Sequence, residues 1–215
     1  MTLPLIVLLP LIAAWLPAVM VRRSRSASAW ATAIVTAAAL GLLLPLAPRV
    51  MAGEVIEAGW QWMPAIGLNA TFRLDGLALM FALLILGIGL LVILYARYYL
   101  AERDPMGRFY AFLLLFMGSM LGIVLSGNLL LMLMFWELTS LSSFLLIGYW
   151  QHRPDARQGA RMALAITGGG GLALLAGVIL LGHIAGNFEL SVILNAGEQI
   201  KNHPLYTPTL ILILL

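Results

Sequence analysis

A polytopic, all-helical transmembrane bundle is the fold this 215-residue chain predicts, and three observations predict it. Hydrophobic residues make up 62% and charged residues 10% of the sequence, against roughly 45–50% and 25% in soluble domains. Mean hydropathy is +1.01. Six stretches are long and apolar enough to cross a membrane core, which takes about 20 residues. That little charge cannot cover a soluble globule of this size, so a water-soluble enzyme is excluded.

The first span is expected at about 2–21, followed by Arg22, Arg23 and Arg25. Charges behind the apolar run, with none before it, mark a retained anchor and not a cleaved signal peptide. The second span is expected at about 28–46. The connection 47–73 is the longest in the chain and carries Trp60 and Trp62, which suit a lipid–water interface. Leu68 to Leu74 alternates apolar with polar residues, the pattern of a short strand. Further spans follow at about 74–98, 108–126, 128–150 and 160–185. A seventh starts at 206 and runs to 215, about 15 Å at helical rise, so the chain is expected to be the N-terminal portion of a longer subunit forming a single membrane domain.

Charge distribution orients these spans. Of the twelve basic residues, nine fall in the connections after the first, third and fifth spans, and three in the others. The positive-inside rule makes the nine-residue side cytoplasmic and places the N-terminus and the loop 47–73 outside. Glu54, Glu57, Asp75, Glu189 and Glu198 fall on the opposite side from most of the arginines. The pI near 9.6 is thus a topology signal, and no nucleic-acid partner is implied.

Little in the sequence points to bond-making chemistry. There is no cysteine, and the three histidines (His152, His183, His203) are scattered, so no metal site, cofactor or catalytic residue is expected. The outstanding residue is Glu137, nine residues beyond Asn128 in an apolar run, about 13–14 Å along a helix and near mid-membrane. A charge at that depth costs roughly 2.5–3.5 kcal/mol on insertion scales. Hydrocarbon favours the neutral acid over the carboxylate, and a carboxyl able to hold either state is what a proton relay needs. It is also an oxygen ligand for a hard cation. Thr139, Ser140 and Ser143 lie close behind it in the sequence and form a candidate supporting polar face, with Ser142 beside them. The competing reading makes Glu137 a structural hydrogen-bond partner between helices, its hydroxyl neighbours bonding backbone.

The run Gly168, Gly169, Gly170 and Gly171 lies at a comparable depth in the sixth span. It is a candidate site for close helix packing, or for the approach of water or an ionisable chain. No phosphate loop is implied, because no Lys-Ser/Thr comes after it. His183, at the outer end of that span, is a candidate point of proton access, against a plainer role as an interfacial anchor.

Four segments carry a resemblance: Phe72–Phe81 (FRLDGLALMF), Arg108–Gly118 (RFYAFLLLFMG), Phe135–Gly148 (FWELTSLSSFLLIG) and Gly159–Gly168 (GARMALAITG). Together they resemble the A subunit of Mrp-type monovalent cation/proton antiporters, a family related to the antiporter-like subunits of respiratory complex I. The resemblance covers most of residues 70–185. It implies a bundle built from inverted five-helix repeats with a broken helix, in a subunit several hundred residues longer. It places Glu137 at the family's essential fifth-helix glutamate, whose partner is a lysine on the seventh helix, beyond this sequence. It further implies a bacterial inner membrane, a multisubunit complex as partner, and H⁺ with Na⁺ or K⁺ as transported ions. Complex I relatives often carry an acidic residue on the sixth helix near the glycine run; its replacement by glycine favours the Mrp reading and leans toward K⁺. The alternatives are a proton-pumping subunit of a redox complex, or a structural membrane subunit that conducts nothing.

Overall fold

The structure is a computed structural model and describes residues 2–215. Helix α1 (Thr2–Ala13) and helix α2 (Leu16–Met20) run on from one another as the first membrane-length unit, Thr2–Met20, broken by a turn ahead of Pro17. Helix α3 (Arg25–Leu43) starts where the Ser24 hydroxyl accepts the Ala27 N–H at 2.9 Å, an N-cap. A 3-10 turn (Leu44–Leu46) and α4 (Ala47–Met51) extend it, each opening on a proline. Helices α5 (Gly76–Tyr99), α6 (Met106–Leu125), α7 (Leu129–Ile147) and α8 (Pro154–Ala185) complete six candidate membrane-spanning units. Short helices α9 (Leu190–Asn195) and α10 (Gly197–Lys201) lead to α11 (Tyr206–Leu214).

Between α4 and α5 lies an antiparallel hairpin, β1 (Ile56–Met63) and β2 (Leu68–Leu74), with Ile56 opposite Leu74 and a register shift between Gln61 and Met63. Gly67 turns the chain at φ +73, a backbone region that favours glycine. The 68–74 alternation is a strand whose residues alternate buried and half-buried. Its partner β1, missed in the sequence, also alternates, with Ile56, Ala58, Trp60 and Trp62 separated by Glu57, Gly59 and Gln61, yet it is exposed at most positions on both faces. Helix α8, the sixth span, begins at Pro154, six residues before the apolar stretch expected from 160. Proline in the first turn needs no N–H partner, and Asp155 beside it complements the helix dipole.

The core lies among α1, α3, α5, α6 and the inner face of β2, where Leu3, Ile6, Leu43, Leu74, Leu86, Tyr110, Leu121 and Leu125 are fully buried. The Tyr110 hydroxyl donates to the Ile93 carbonyl at 2.9 Å. On α3, Ser28, Thr32 and Thr36 are buried one turn apart and donate to the carbonyls of Pro17, Ser28 and Thr32. That stripe is satisfied internally and presents no free donor. Helices α6 and α7 approach through Gly122, where a β-carbon would enter the Phe135 ring. From there the helices continue outward as α7, α8 and α11.

The connections meet in two groups at opposite ends. At one, the basic end, Arg25 donates to the carbonyls of Leu100, Glu102 and Asp104, Arg108 donates to the Tyr149 carbonyl, and the Trp150 indole reaches Asp104. At the other, the hairpin end, the Gly127 N–H bonds Thr71 of β2, and the Leu190 N–H bonds the Gly127 carbonyl. Asn128 and Asn69 both donate to Glu189 there, at 2.9 Å each.

Candidate functional site

Helix α7 begins at Asn128, whose side-chain oxygen accepts the N–H groups of Leu130 and Leu131 at 3.0 and 3.2 Å. An anchored first turn fixes the depth of the whole helix, and Glu137 lies nine residues further on. The four ion pairs of the described residues, Arg49–Glu54, Arg73–Glu57, Arg73–Asp75 and Arg153–Asp155, all lie in or beside connections. Glu137 takes part in none of them. It sits with Trp136 and Leu141 on the exposed side of α7, and its carboxyl reaches across to α8.

What it meets there is Gly171. The Glu137 carboxyl rests on the bare backbone of this buried residue, in the space a β-carbon would need. The other members of the run differ: a β-carbon on Gly168, Gly169 or Gly170 would meet nothing within 4 Å. So the glycine run is not one packing surface. One glycine of the four receives the carboxyl, and the preceding three face open space.

The hydroxyls of α7 lie on an adjoining face. Thr139, Ser140 and Ser143 line a groove of about 490 Å³ together with Thr167 and Gly170 of α8, Phe116 and Met120 of α6, and Ile213 of α11. Thr139 donates to the Trp136 carbonyl at 2.6 Å, Ser140 to the same carbonyl at 3.4 Å, and Thr167 to Ala163 at 2.9 Å. Those three protons are therefore spent within their own helices, leaving oxygen lone pairs for the groove, while Ser143 makes no side-chain hydrogen bond among the described residues and can donate as well as accept. A row of acceptor oxygens suits a water chain or a partly dehydrated cation. Ser142 is buried and donates to Leu138 at 2.8 Å; it is not among the residues lining the groove. Thr167 was absent from the sequence-based candidates, and its place just before Gly168 was the signal available.

His183 is exposed in the last turn of α8, twelve residues beyond Gly171 and so about 18 Å along the helix. The structure does not bring it to Glu137.

Six membrane-length helices, one carboxyl at the α7–α8 seam and a hairpin at one end describe a multi-pass membrane protein of the antiporter-like class. Residues 126–215 match the family described as NADH:quinone oxidoreductase/Mrp antiporter, TM. Residues 60–110 match the N-terminus of NADH-ubiquinone oxidoreductase (complex I) chain 5. The chain is 53% identical over 191 residues to the probable K(+)/H(+) antiporter A/B subunit of Rhizobium meliloti, covering 89% of this chain and 19% of that protein. It is 45% identical over 173 residues to the Na(+)/H(+) antiporter A1 subunit of Staphylococcus aureus, covering 80% and 22%. Among solved structures, the Mrp complex from Dietzia sp. DQ12-45-1b superposes with a TM-score of 0.85 at 32% identity, over 99% of this chain and 23% of that one. An archaeal membrane-bound sulfane sulfur reductase shares the fold, with a TM-score of 0.81 at 23% identity, over 98% of this chain and 43% of that one. Within the antiporter-like class, then, this chain is a homologue of the A subunits of Mrp antiporters. It spans about one fifth of the length of those curated relatives.

Proposed function

We propose that this chain forms part of the A subunit of a multisubunit antiporter exchanging protons for Na⁺ or K⁺ across a bacterial inner membrane, with Glu137 as its mid-membrane relay. The observation that carries the reading is the setting of Glu137: an unpaired carboxyl at mid-helix, resting on a glycine backbone, beside a groove lined by hydroxyl oxygens. Such a group passes between neutral and charged states as water or a cation reaches it, and no covalent step is needed. Thr139, Ser140 and Ser143 supply acceptors along the route. This reading places the N-terminus outside, which the distribution of arginines supports. The other subunits of the complex are its partners, and no redox cofactor takes part.

Identity of 53% to a protein named as a K(+)/H(+) antiporter subunit supports antiport over a redox-driven pump, for which the sulfane sulfur reductase shows the fold alone. The test is carbodiimide labelling of the full-length complex in membranes, because carbodiimides react with protonated carboxyls in apolar surroundings. Glu137 should be modified, and the transported cation should protect it. Unmodified Glu137 in a complex that the reagent nonetheless inhibits would move the relay elsewhere.

A further inference from the structure

Helix α8 has three glycines against which another group packs so closely that a β-carbon would have no room. At Gly177 the group is Ile213 of α11, and at Gly182 it is the Phe188 ring. Both are apolar, and both contacts are ordinary close packing of small residues in a membrane bundle. At Gly171 the group is the Glu137 carboxyl, and the nearest contacts come from its oxygens and carboxyl carbon alone.

We infer that Gly171 is the positioning residue for Glu137: its missing side chain is the notch that fixes where the carboxyl sits between α7 and α8. The inference rests on the relay reading of Glu137 and adds to it a specific partner on another helix. Any side chain at position 171 would force the carboxyl to another rotamer, off the seam and toward the exposed side of α7, where Trp136 and Leu141 lie. The neighbouring glycines make no such demand, since a β-carbon at Gly169 meets nothing. A helix also prefers alanine to glycine on backbone grounds alone. Conformational preference and packing therefore agree that Gly169→Ala is benign, and only the carboxyl sets Gly171 apart.

The experiment uses the full antiporter complex in everted vesicles, comparing Gly171→Ala, Gly169→Ala and Glu137→Gln. The readouts are exchange rate, its pH profile, and assembly by blot. Displacing a reacting group by about 1 Å can cost a hundredfold, so Gly171→Ala is expected to lose at least tenfold in exchange and to move the pH of half-maximal exchange. Gly169→Ala should match wild type in both. If Gly171→Ala impairs assembly, the double variant Glu137→Ala with Gly171→Ala should restore it, because the colliding group is gone. Exchange and pH profile unchanged in Gly171→Ala, while Glu137→Gln is inactive, overturn the positioning role and leave the relay standing. Exchange intact in Glu137→Gln overturns both. Assembly lost in Gly171→Ala and not restored by the double variant makes Gly171 a packing residue only.

Discussion

Asn128 holds the hairpin end together with a single amide, and its replacement separates capping from charge. It is fully buried. Its oxygen caps α7, while its nitrogen donates to the Gly67 carbonyl and to Glu189 Oε1 at 2.9 Å each. Asn128→Ala removes an N-cap worth about 1 kcal/mol. It also removes a neutral hydrogen bond worth about 1 and one to a charged group worth about 2 kcal/mol. Glu189 keeps its bond from Asn69 at 2.9 Å, so its carboxylate is not stranded, and the total is roughly 3–4 kcal/mol. The melting-temperature shift per kcal/mol shrinks as the cooperative unit grows, from about 2–4 °C in a 150–250-residue domain, so in the longer full-length protein the fall should be about a few degrees.

Asn128→Asp is the sharper variant. It preserves the cap acceptor but sets a carboxylate against Glu189 in place of a donor. At neutral pH it should be at least as unstable as Asn128→Ala. Its deficit should shrink as pH falls through the carboxylate range, because a proton on either group restores a donor. The assay is thermal denaturation of the full-length protein in detergent, followed by fluorescence-detected size exclusion at pH 7 and pH 5. An Asn128→Ala protein that melts with wild type would refute the bond accounting. An Asn128→Asp protein as stable as wild type at pH 7 would refute the contact with Glu189.

Three further outcomes are expected. Arg25→Gln breaks the three bonds that hold the carbonyls of Leu100, Glu102 and Asp104 at 3.0–3.1 Å; losing about 2 kcal/mol of local stability should speed tryptic cleavage at Arg103 roughly 30-fold. Tyr149 has a buried hydroxyl without a partner, and burial, with the Asp104 carboxylate adding to it, pushes its pKa from 10.0 up to about 12. Tyr149 therefore carries no ionisation penalty below pH 10, and stability is lost as pH rises from 10 toward 12. Tyr149→Phe should be neutral or stabilising at pH 7 and should flatten that alkaline loss in melts between pH 9 and 12, whereas Tyr110→Phe, which forfeits a bond to Ile93, should cost about 1 kcal/mol. Gly122→Ala drives a methyl into the Phe135 ring and should destabilise by about 1–3 kcal/mol, while Gly87→Ala, where nothing lies within 4 Å, should not; melting temperatures of the two variants decide it.

How much of the fold and site could be read beforehand depends on the range of each interaction. Glu137 stood out because a carboxyl in an apolar run is a local anomaly that needs no partner to be noticed. β2 was legible because one face is buried, so period-two alternation is written into 68–74. Its partner β1 carries the same period in Ile56, Ala58, Trp60 and Trp62, and that signal was missed, although neither face of the strand is buried. The distinction between Gly171 and its three neighbours was invisible for a different reason: which glycine faces Glu137 depends on how α8 is rotated against α7. The same holds for Asn69, Asn128 and Glu189, which join across 61 and 120 residues. Nor does composition reveal that the hydroxyls beside Glu137 turn to a separate groove.

The measurement that bears most directly on the relay is cation-dependent collapse of an imposed pH gradient in everted vesicles from cells lacking their own antiporters. The vesicles would carry the full-length complex, either wild type or with Glu137→Gln, and a blot would check that it assembles. Exchange lost with assembly intact is the predicted result, and the cation that drives it in wild type identifies the transported ion. Exchange at the wild-type rate in Glu137→Gln would contradict the account and return Glu137 to a role in packing.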